Sequence, residues 1–325
     1  MSSPMKDVLG IGNAMVDVLA HADDAFLVAH GLARGAMTLI DAEQGAAILE
    51  GMGQTVEVSG GSAANTMAGI ASLGGTGSYI GRVHDDRLGA VFTRDMRSLG
   101  IGYETPPASE GAPTARCLVV VTPDGQRTMA TYLGASTELG PEDVDAEAVY
   151  GHAVTYLEGY LWDAPRAPEA LALAARLAHD AGNRVALTLS DAFCVDRHRD
   201  EFLDFILQYV DVLFANQDEI TSLYGTADVW DAVERARGDC ALTVVTRSEK
   251  GSIVASGDET HVVDAAPVER VVDTTGAGDL YAAGFLYGLT HGHDLAACGR
   301  IGSLAAAEVI GHLGARPEAR LSELV

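Results

Sequence analysis

Short apolar runs alternate with longer segments of helical periodicity along most of the chain. Between the runs lie helical segments such as residues 167–182, in which Pro168 suits the first turn and Gly182 lies just past the end. Near-continuous apolar strands separated by helices are typical of a parallel sheet covered on both faces. We therefore predict an α/β fold, doubly wound, with a mostly parallel sheet. The predicted strands are residues 77–81, 153–159, 184–190, 210–216 and 241–248.

Two segments interrupt this alternation, residues 13–45 and 104–135. Both contain β-type pieces without intervening helices, and Pro123-Asp124-Gly125 between two such pieces predicts a hairpin. We interpret the two segments as a small β-sheet lid over a substrate site, although the periodicity equally allows them to extend the main sheet. The main domain would then comprise residues 1–12, 46–103 and 136–325.

Charge and composition narrow the class of protein. The 325 residues include 21 Lys and Arg against 46 Asp and Glu, a formal net charge of −25. Such a field repels phosphate backbones and anionic membranes, so we expect neither nucleic acid nor a membrane as partner. The acidic excess fits a saline host or simple solubility.

Cysteine spacing and the N-terminal segment bear on location. Four scattered cysteines without a C-x-x-C pair are typical of a reducing cytosol. The N-terminal segment meets polar residues too early for a secretory apolar core, and no apolar run approaches the ~20 residues of a membrane helix. We expect a cytoplasmic protein that is a monomer or a homodimer.

Several common catalytic motifs are absent from the sequence. The two lysines, Lys6 and Lys250, lie in neither a Walker-type phosphate loop nor a protein-kinase strand motif. Met15 stands where the early "GIGNAM" would need the third glycine of a dinucleotide fingerprint, which disfavours a nicotinamide-dependent oxidoreductase. No nucleophile elbow or H-E-x-x-H helix occurs, so hydrolase and zinc-protease functions have no support.

The stretch "DTTGAGD", residues 273–279, combines small residues with a carboxylate at the start of a helix. Small residues let backbone N–H groups close around an anion, and the helix dipole adds positive potential. Asp279 can accept a proton from an attacking hydroxyl, and we expect the dipole to lower its pKa. Phosphoryl transfer tolerates a weak base because positioning does most of the catalysis. An ordinary helix N-terminus would carry an aspartate equally well.

A second glycine-rich stretch, "SGGSAANT", spans residues 59–66. Gly60 and Gly61 permit close backbone approach to a ligand, and Asn65 at the head of a helix can both donate to and accept from hydroxyls. A plain glycine turn with a helix cap is the alternative.

Together with "NQDE", residues 216–219, these stretches resemble the signatures of the PfkB carbohydrate-kinase (ribokinase-like) family, and the resemblance covers essentially the whole chain. It implies a phosphotransferase that uses ATP and Mg²⁺. Asp279 would be the general base, and Asn216 and Glu219 would organise Mg²⁺ through water. The anion hole would consist of Gly276, Ala277 and Gly278.

The same resemblance implies roles for further residues. Asp17 would hold two sugar hydroxyls, and Arg127 resembles a lid arginine that closes onto phosphates, with an exposed hairpin arginine as the alternative. Asp273 and Thr275 match positions that shape a monovalent-cation site in potassium-activated members. The other substrate-binding candidates are Asn13, Gly60, Gly61, Asn65 and Glu158, and the ATP-loop candidates are Thr246, Arg247 and Gly251.

The sequence gives less information about the identity of the phosphate acceptor. "GNAMVD" and "GGSAANT" look more like the adenosine-kinase branch than like ribokinases, because Ser62 stands where ribokinases carry a lysine. Glu158, however, is similar to the acidic residue that binds free sugar in ribokinases. Tyr132, Tyr160 and Leu161 could contact a base. We favour a nucleoside, with a ribose- or fructose-type sugar as one alternative and a catalytically inactive nucleotide-binding protein as another.

Overall fold

The computed structural model describes residues 4–325. Its strands form two separate sheets, ordered β14-β13-β12-β11-β10-β9-β1-β5-β6 and β3-β8-β7-β2-β4. The strands are β1 (Lys6–Ile11), β2 (Met15–His21), β3 (Met37–Leu39), β4 (Val56–Gly60), β5 (Gly77–Ile80), β6 (Gly102–Tyr103), β7 (Ala115–Val121), β8 (Arg127–Tyr132), β9 (His152–Glu158), β10 (Arg184–Thr188), β11 (Val212–Asn216), β12 (Leu242–Thr246), β13 (Ser252–Ser256) and β14 (Glu259–Val263).

The larger sheet is parallel from β6 to β12, and the edge strands β13 and β14 add antiparallel pairs. Helices cover both of its faces, which confirms the predicted doubly wound α/β fold. The helices are α1 (Asp24–Ala29), α2 (Ala42–Gly51), α3 (Ser62–Ser72), α4 (Arg87–Ser98), α5 (Ala146–Tyr150), α6 (Ala167–Asp180), α7 (Ala192–Tyr209), α8 (Gln217–Tyr224), α9 (Val229–Asp239), α10 (Ala277–Thr290) and α11 (Leu295–Val309).

Two apolar cores lie on opposite faces of this sheet. One packs α3, α10 and α11 against strand residues such as Tyr156, and the other packs α6 to α9 against residues such as Leu157. Consecutive residues of a strand point to opposite faces, so β9 is buried on both sides. Within the first core, α3 and α10 approach closely, since a Cβ at Gly69 would lie only 2.6 Å from the Ala283 Cβ. This close packing brings the first turns of α3 and α10 together.

The smaller sheet contains the predicted hairpin, with β7 and β8 antiparallel. Its composition differs from the sequence prediction in two respects. Helices α1 and α2 lie within or across the segment 13–45, which was expected to lack helices, and α2 begins with a capping box between Asp41 and Gln44. β4, assigned by sequence to the main domain within 46–103, instead pairs with β2 in the smaller sheet. β4 has three exposed or half-buried residues followed by two buried ones, and this pattern does not show which sheet the strand joins.

The two faces of the smaller sheet differ. α1 and α2 cover one face, where Val18 and Leu118 join the same core as Leu27 and Ile48. The other face carries Asp17. No helix within residues 4–325 combines the length and apolar character needed to cross a membrane.

Candidate active site

Two glycines mark the starts of the helices that meet at the candidate site. Gly61 precedes α3 with φ 101°, and Gly276 precedes α10 with φ 79°. These angles lie in the left-handed region that favours glycine. A Cβ on Gly61 would collide with the carbonyl oxygen of Asn13, and one on Gly276 would lie 2.7 Å from backbone atoms of Ala315. Both positions therefore require glycine.

Asp279, in the first turn of α10, faces the first turn of α3. Its carboxylate accepts hydrogen bonds from Ser62 Oγ at 2.6 Å and from Asn65 Nδ2 at 3.0 Å. Burial raises the pKa of Asp279, and the two hydrogen bonds only partly oppose this effect. The expected lowering of this pKa by the helix dipole is therefore wrong, because loss of water outweighs it.

Most backbone amides beside Asp279 are available to a ligand. The N–H of Ala277 donates to the Thr274 carbonyl oxygen at 3.2 Å. The N–H groups of Gly276, Gly278 and Asp279 have no hydrogen-bond partner among residues 4–325. A Cβ at Gly278 would meet no atom within 4 Å, so this residue borders open space. Of the three predicted anion-hole residues, two thus have free amides and Ala277 does not.

Asp17 lies on the helix-free face of the smaller sheet. Gly60 on the neighbouring strand leaves room for it, since a Cβ there would lie 2.7 Å from the carboxylate atoms. No donor within the described chain hydrogen-bonds to either oxygen of Asp17. Burial raises its pKa to about 6, the charges of Arg127 and Arg316 lower it, and Asp279 raises it. Gly60, which packs against Asp17, and Ser62, which donates to Asp279, are two residues apart, so the two carboxylates lie near each other.

Glu158 lies behind the site at the end of β9 and is 1% exposed. Its oxygens accept hydrogen bonds from Asn13 Nδ2 at 2.7 Å and from the Ala63 N–H at 2.9 Å. A Cβ on Gly12 would collide with this carboxylate. Burial raises the pKa of Glu158 to about 7. Glu158 and Asn13 therefore join β1, β9 and the start of α3, and protein donors already occupy both carboxylate oxygens.

Arg127 is 9% exposed and forms an ion pair with Asp273, so it is not the exposed hairpin arginine of the alternative. Asp273 also accepts from Thr275 N at 3.0 Å and Oγ1 at 2.7 Å, and from Gly314 N at 3.0 Å. Burial acts to raise the pKa of Asp273, but these bonds and Arg127 lower it overall. Four donors occupy the carboxylate, so a monovalent cation here would need backbone carbonyls.

Asn216 and Glu219 form a capping box at the start of α8. The Glu219 N–H donates to Asn216 Oδ1 at 2.8 Å, and the Asn216 N–H and Nδ2 donate to Glu219 at 2.8 and 2.6 Å. Burial raises the pKa of Glu219 to about 7, and Asp279 contributes to the rise. Direct ligation of Mg²⁺ would break this box, whereas contact through water would leave it intact. Residues 4–325 contain no cluster of three or more His, Cys, Asp or Glu suited to a metal ion.

The predicted ATP loop follows β12. Thr246 ends that strand, and the Arg247 guanidinium donates to the Lys250 carbonyl oxygen at 2.8 Å and lies 5.8 Å from the Trp230 ring centroid. Gly251, with φ 72°, packs so tightly that a Cβ would collide with the Val263 carbonyl oxygen.

Beside this loop, β14 and α11 border a cavity of about 620 Å³ that sequence reasoning missed. Its walls come from residues about forty positions apart, without a shared motif. Lining residues include Val263, Asp264, Ala266, Arg300 and Ser303.

Three further side chains were missed or misplaced by sequence reasoning. Ser62 was considered only as a replacement for lysine, but it contacts Asp279 directly. Arg316 donates to Asn65 Oδ1 at 3.3 Å and to Ser59 Oγ at 2.6 Å, and no motif indicated it. Leu161 was a candidate to contact a base, but it is fully buried in the core beside α6 to α9.

The chain is similar to known kinases over nearly its whole length. The crystal structure of adenosine kinase from Sinorhizobium meliloti shares 52% sequence identity, covers 98% of each chain and superposes with a TM-score of 0.91. A probable sugar kinase from Rhizobium etli shares 50% identity over 99% of this chain and 98% of the other, with a TM-score of 0.92. Adenosine kinase from Saccharomyces cerevisiae is 26% identical over 94% of both proteins.

A family description agrees with these relatives. The sequence model of the pfkB family carbohydrate kinases matches residues 25–320, which is most of the chain. The ribokinase-like fold and the resemblance stated from the two glycine-rich stretches are confirmed. The chain belongs to the pfkB family of carbohydrate kinases.

Proposed function

We propose that this sugar- or nucleoside-kinase homologue transfers the γ-phosphate of ATP to a primary hydroxyl of a nucleoside, with adenosine as the favoured acceptor. One observation carries the proposal. Asp279 lies at the amino end of α10 beside free backbone amides and is bonded to Ser62, two residues after Gly60, which packs against Asp17. Neither oxygen of Asp17 accepts a hydrogen bond within residues 4–325. A base, an anion site and a hydroxyl-binding carboxylate therefore converge.

In the proposed reaction, Asp279 accepts the proton of the acceptor hydroxyl. The hydroxyl oxygen then forms a bond to the γ-phosphorus, and the bond from that phosphorus to the bridging oxygen of ADP breaks. The N–H groups of Gly276 and Gly278 stabilise the negative charge on the transferring group. The raised pKa of Asp279 makes it a stronger base than an ordinary aspartate.

The site can hold Mg²⁺ by contacts with the water molecules bound to the ion. Bound with ATP, Mg²⁺ neutralises phosphate charge that the few cationic residues here cannot. Asn216 and Glu219 would hold its water molecules at the start of α8 while their capping box stays intact.

The nucleotide would occupy the cavity between β14 and α11. Gly251 in the loop after β12 packs against Val263 and Asp264, which line this cavity, so the loop adjoins the cavity wall. Arg247 and Arg300 supply positive charge along it.

The surroundings of Asp17 favour a nucleoside over a free sugar. Residues paired directly across neighbouring strands share a face, so Val58 and Cys117 flank Asp17, and Leu19 lies on the same face two positions along. Val58 is 38% exposed. A ribose bound by one carboxylate and a base on apolar side chains match this face, whereas a free sugar would need more polar partners. The adenosine kinase among the relatives supports the same choice.

The experiment is an ADP-release assay with Mg·ATP and a panel of adenosine, guanosine, inosine, ribose and fructose. We expect adenosine to give the highest kcat/KM, and removal of Mg²⁺ by a chelator to abolish the signal. A higher value with ribose or fructose would favour the free-sugar alternative. Tight ATP binding without turnover on any acceptor would indicate the inactive nucleotide-binding alternative.

A further inference from the structure

The segment after α11 contacts the candidate site through three consecutive residues. The Gly314 N–H donates to Asp273 at 3.0 Å, and Ala315 packs against Gly276. Arg316 is partly buried and donates through Nε to Asn65 Oδ1 at 3.3 Å and through Nη1 to Ser59 Oγ at 2.6 Å. This segment therefore contacts the starts of both α3 and α10.

Arg316 determines which end of the Asn65 amide faces Asp279. A guanidinium only donates hydrogen bonds, and an ionised carboxylate only accepts them. Asn65 lies between the two, so it satisfies both only with its oxygen toward Arg316 and its NH₂ toward Asp279. Without Arg316, the amide could rotate and place its oxygen against the carboxylate.

Arg316 also adds positive charge near Asp17. Ser59, which accepts from Arg316, adjoins Val58 on β4, and Val58 is paired with Asp17. The charged groups that act on Asp17 are Arg127 and Arg316, which lower its pKa, and Asp279, which raises it. Cys117, on the adjacent strand, is a neutral thiol whose pKa burial raises to about 12. Within residues 4–325, loss of Arg316 would leave Arg127 as the remaining cation that opposes protonation of Asp17.

We propose that Arg316 is a positioning residue for phosphoryl transfer, which orients the Asn65 amide toward Asp279 and supplies positive charge beside Asp17. The proposal rests on the function proposed above. A purely structural role, in which Arg316 only anchors the C-terminal segment, would predict loss of stability without a specific kinetic effect.

The test compares Arg316→Met and Arg316→Lys, assayed with adenosine and Mg·ATP. We expect Arg316→Met to lower kcat by about 10- to 100-fold, as misplacement of catalytic groups does, with the KM for ATP unchanged. As the pH is lowered, the KM for adenosine should rise in both proteins. In Arg316→Met this rise should begin at a higher pH than in the wild type, because Asp17 protonates more easily without the arginine. Arg316→Lys retains the charge and should restore the wild-type pH dependence.

Arg320→Gln is the matched control, since it removes an exposed arginine from the same segment and should leave all constants unchanged. A double-mutant cycle with Asn65→Ala isolates the pathway: the kcat loss caused by Arg316→Met should shrink in the Asn65→Ala background. If Arg316→Met does not fold, Arg316→Gln, which can both donate and accept, replaces it throughout.

Wild-type pH dependence in the Met or Gln variant would overturn the proposal. Wild-type kcat in the Met variant, or full additivity with Asn65→Ala, would do so as well. These outcomes differ from failure of the proposed function, in which the wild-type protein itself would turn over none of the acceptors.

Discussion

Four carboxylates surround the candidate reaction centre, and burial raises the pKa of each. They are Asp17, Glu158, Glu219 and Asp279. Few cations lie near enough to lower these pKa values again. Asp17, Glu158 and Glu219 therefore gain or lose protons near neutral pH. Acceptor binding by Asp17 requires its ionised form, so we expect it to weaken as the pH falls through about 6.

Glu158 allows the cost of this burial to be measured. Its pKa rises from 4.5 to about 7, so the folded state keeps a proton that the unfolded state has already lost. The contribution of this proton to stability is therefore fully present below pH 4.5 and is lost as the pH rises through about 7, by on the order of 3 kcal/mol. Relative to the wild type, Glu158→Gln should gain about this much between pH 4.5 and 8 in urea unfolding.

Glu50→Gln, on the exposed surface of α2, is the control for simple removal of a charge and should show no such gain. A difference between wild type and Glu158→Gln that stays constant with pH would show that Glu158 does not hold its proton in the folded state.

Single site residues could be identified from the sequence where the residues that act together are close together in the chain. Asp279 and its glycines lie within one heptapeptide, so their motif reveals them. Ser62 and Arg316 were missed because their partners lie 217 and 251 positions away in the chain. No short-range pattern records such contacts.

At the scale of elements, the two glycines at the start of α10 are expected to have different roles. Gly276 is needed for the backbone conformation, and Gly278 leaves space for the phosphate. Gly278→Ala adds a methyl group at a helical position with no atom within 4 Å, so stability should hold or rise by roughly 0.5–1 kcal/mol. The methyl group enters the space proposed for the γ-phosphate, so kcat should fall by about tenfold or more.

Gly276→Ala is the contrasting variant. Its φ of 79° and the 2.7 Å approach to Ala315 should lower the melting temperature clearly. Melting curves and kcat for both variants check the pair. Normal turnover in Gly278→Ala would place the phosphate elsewhere.

Elements with a continuous apolar or helical pattern were predictable, and elements without one were not. The inner strands of the main sheet are apolar on both faces, which the sequence shows directly. α1 has only six residues and β4 mixes polar with apolar residues, so neither has a pattern that identifies it. β4 is identified by its pairing with β2, and α1 by the packing of Leu27 into the core that includes Val18 and Leu118.

At the scale of the molecule, one ion pair joins the smaller sheet to the loop before α10. Arg127 on β8 contacts Asp273, and both side chains are less than 10% exposed. We propose that the smaller sheet acts as a lid and that this pair helps to hold it over the reacting groups, excluding water.

Arg127→Gln should therefore raise ATP hydrolysis in the absence of acceptor, relative to phosphorylation of adenosine. The assay measures ADP release with and without adenosine. Arg34→Gln removes an exposed arginine from the segment between α1 and β3 and serves as the control. An unchanged ratio in Arg127→Gln would contradict a role for this pair in closure.

The most direct test of the whole account is Asp279→Asn, a change that keeps size and removes the base. Single-turnover phosphorylation of adenosine and the Kd values for adenosine and Mg·ATP should be measured on the same preparation. We predict that the rate falls by about 10²- to 10⁴-fold while both Kd values stay close to wild type. A wild-type rate in this variant would show that Asp279 is not the base.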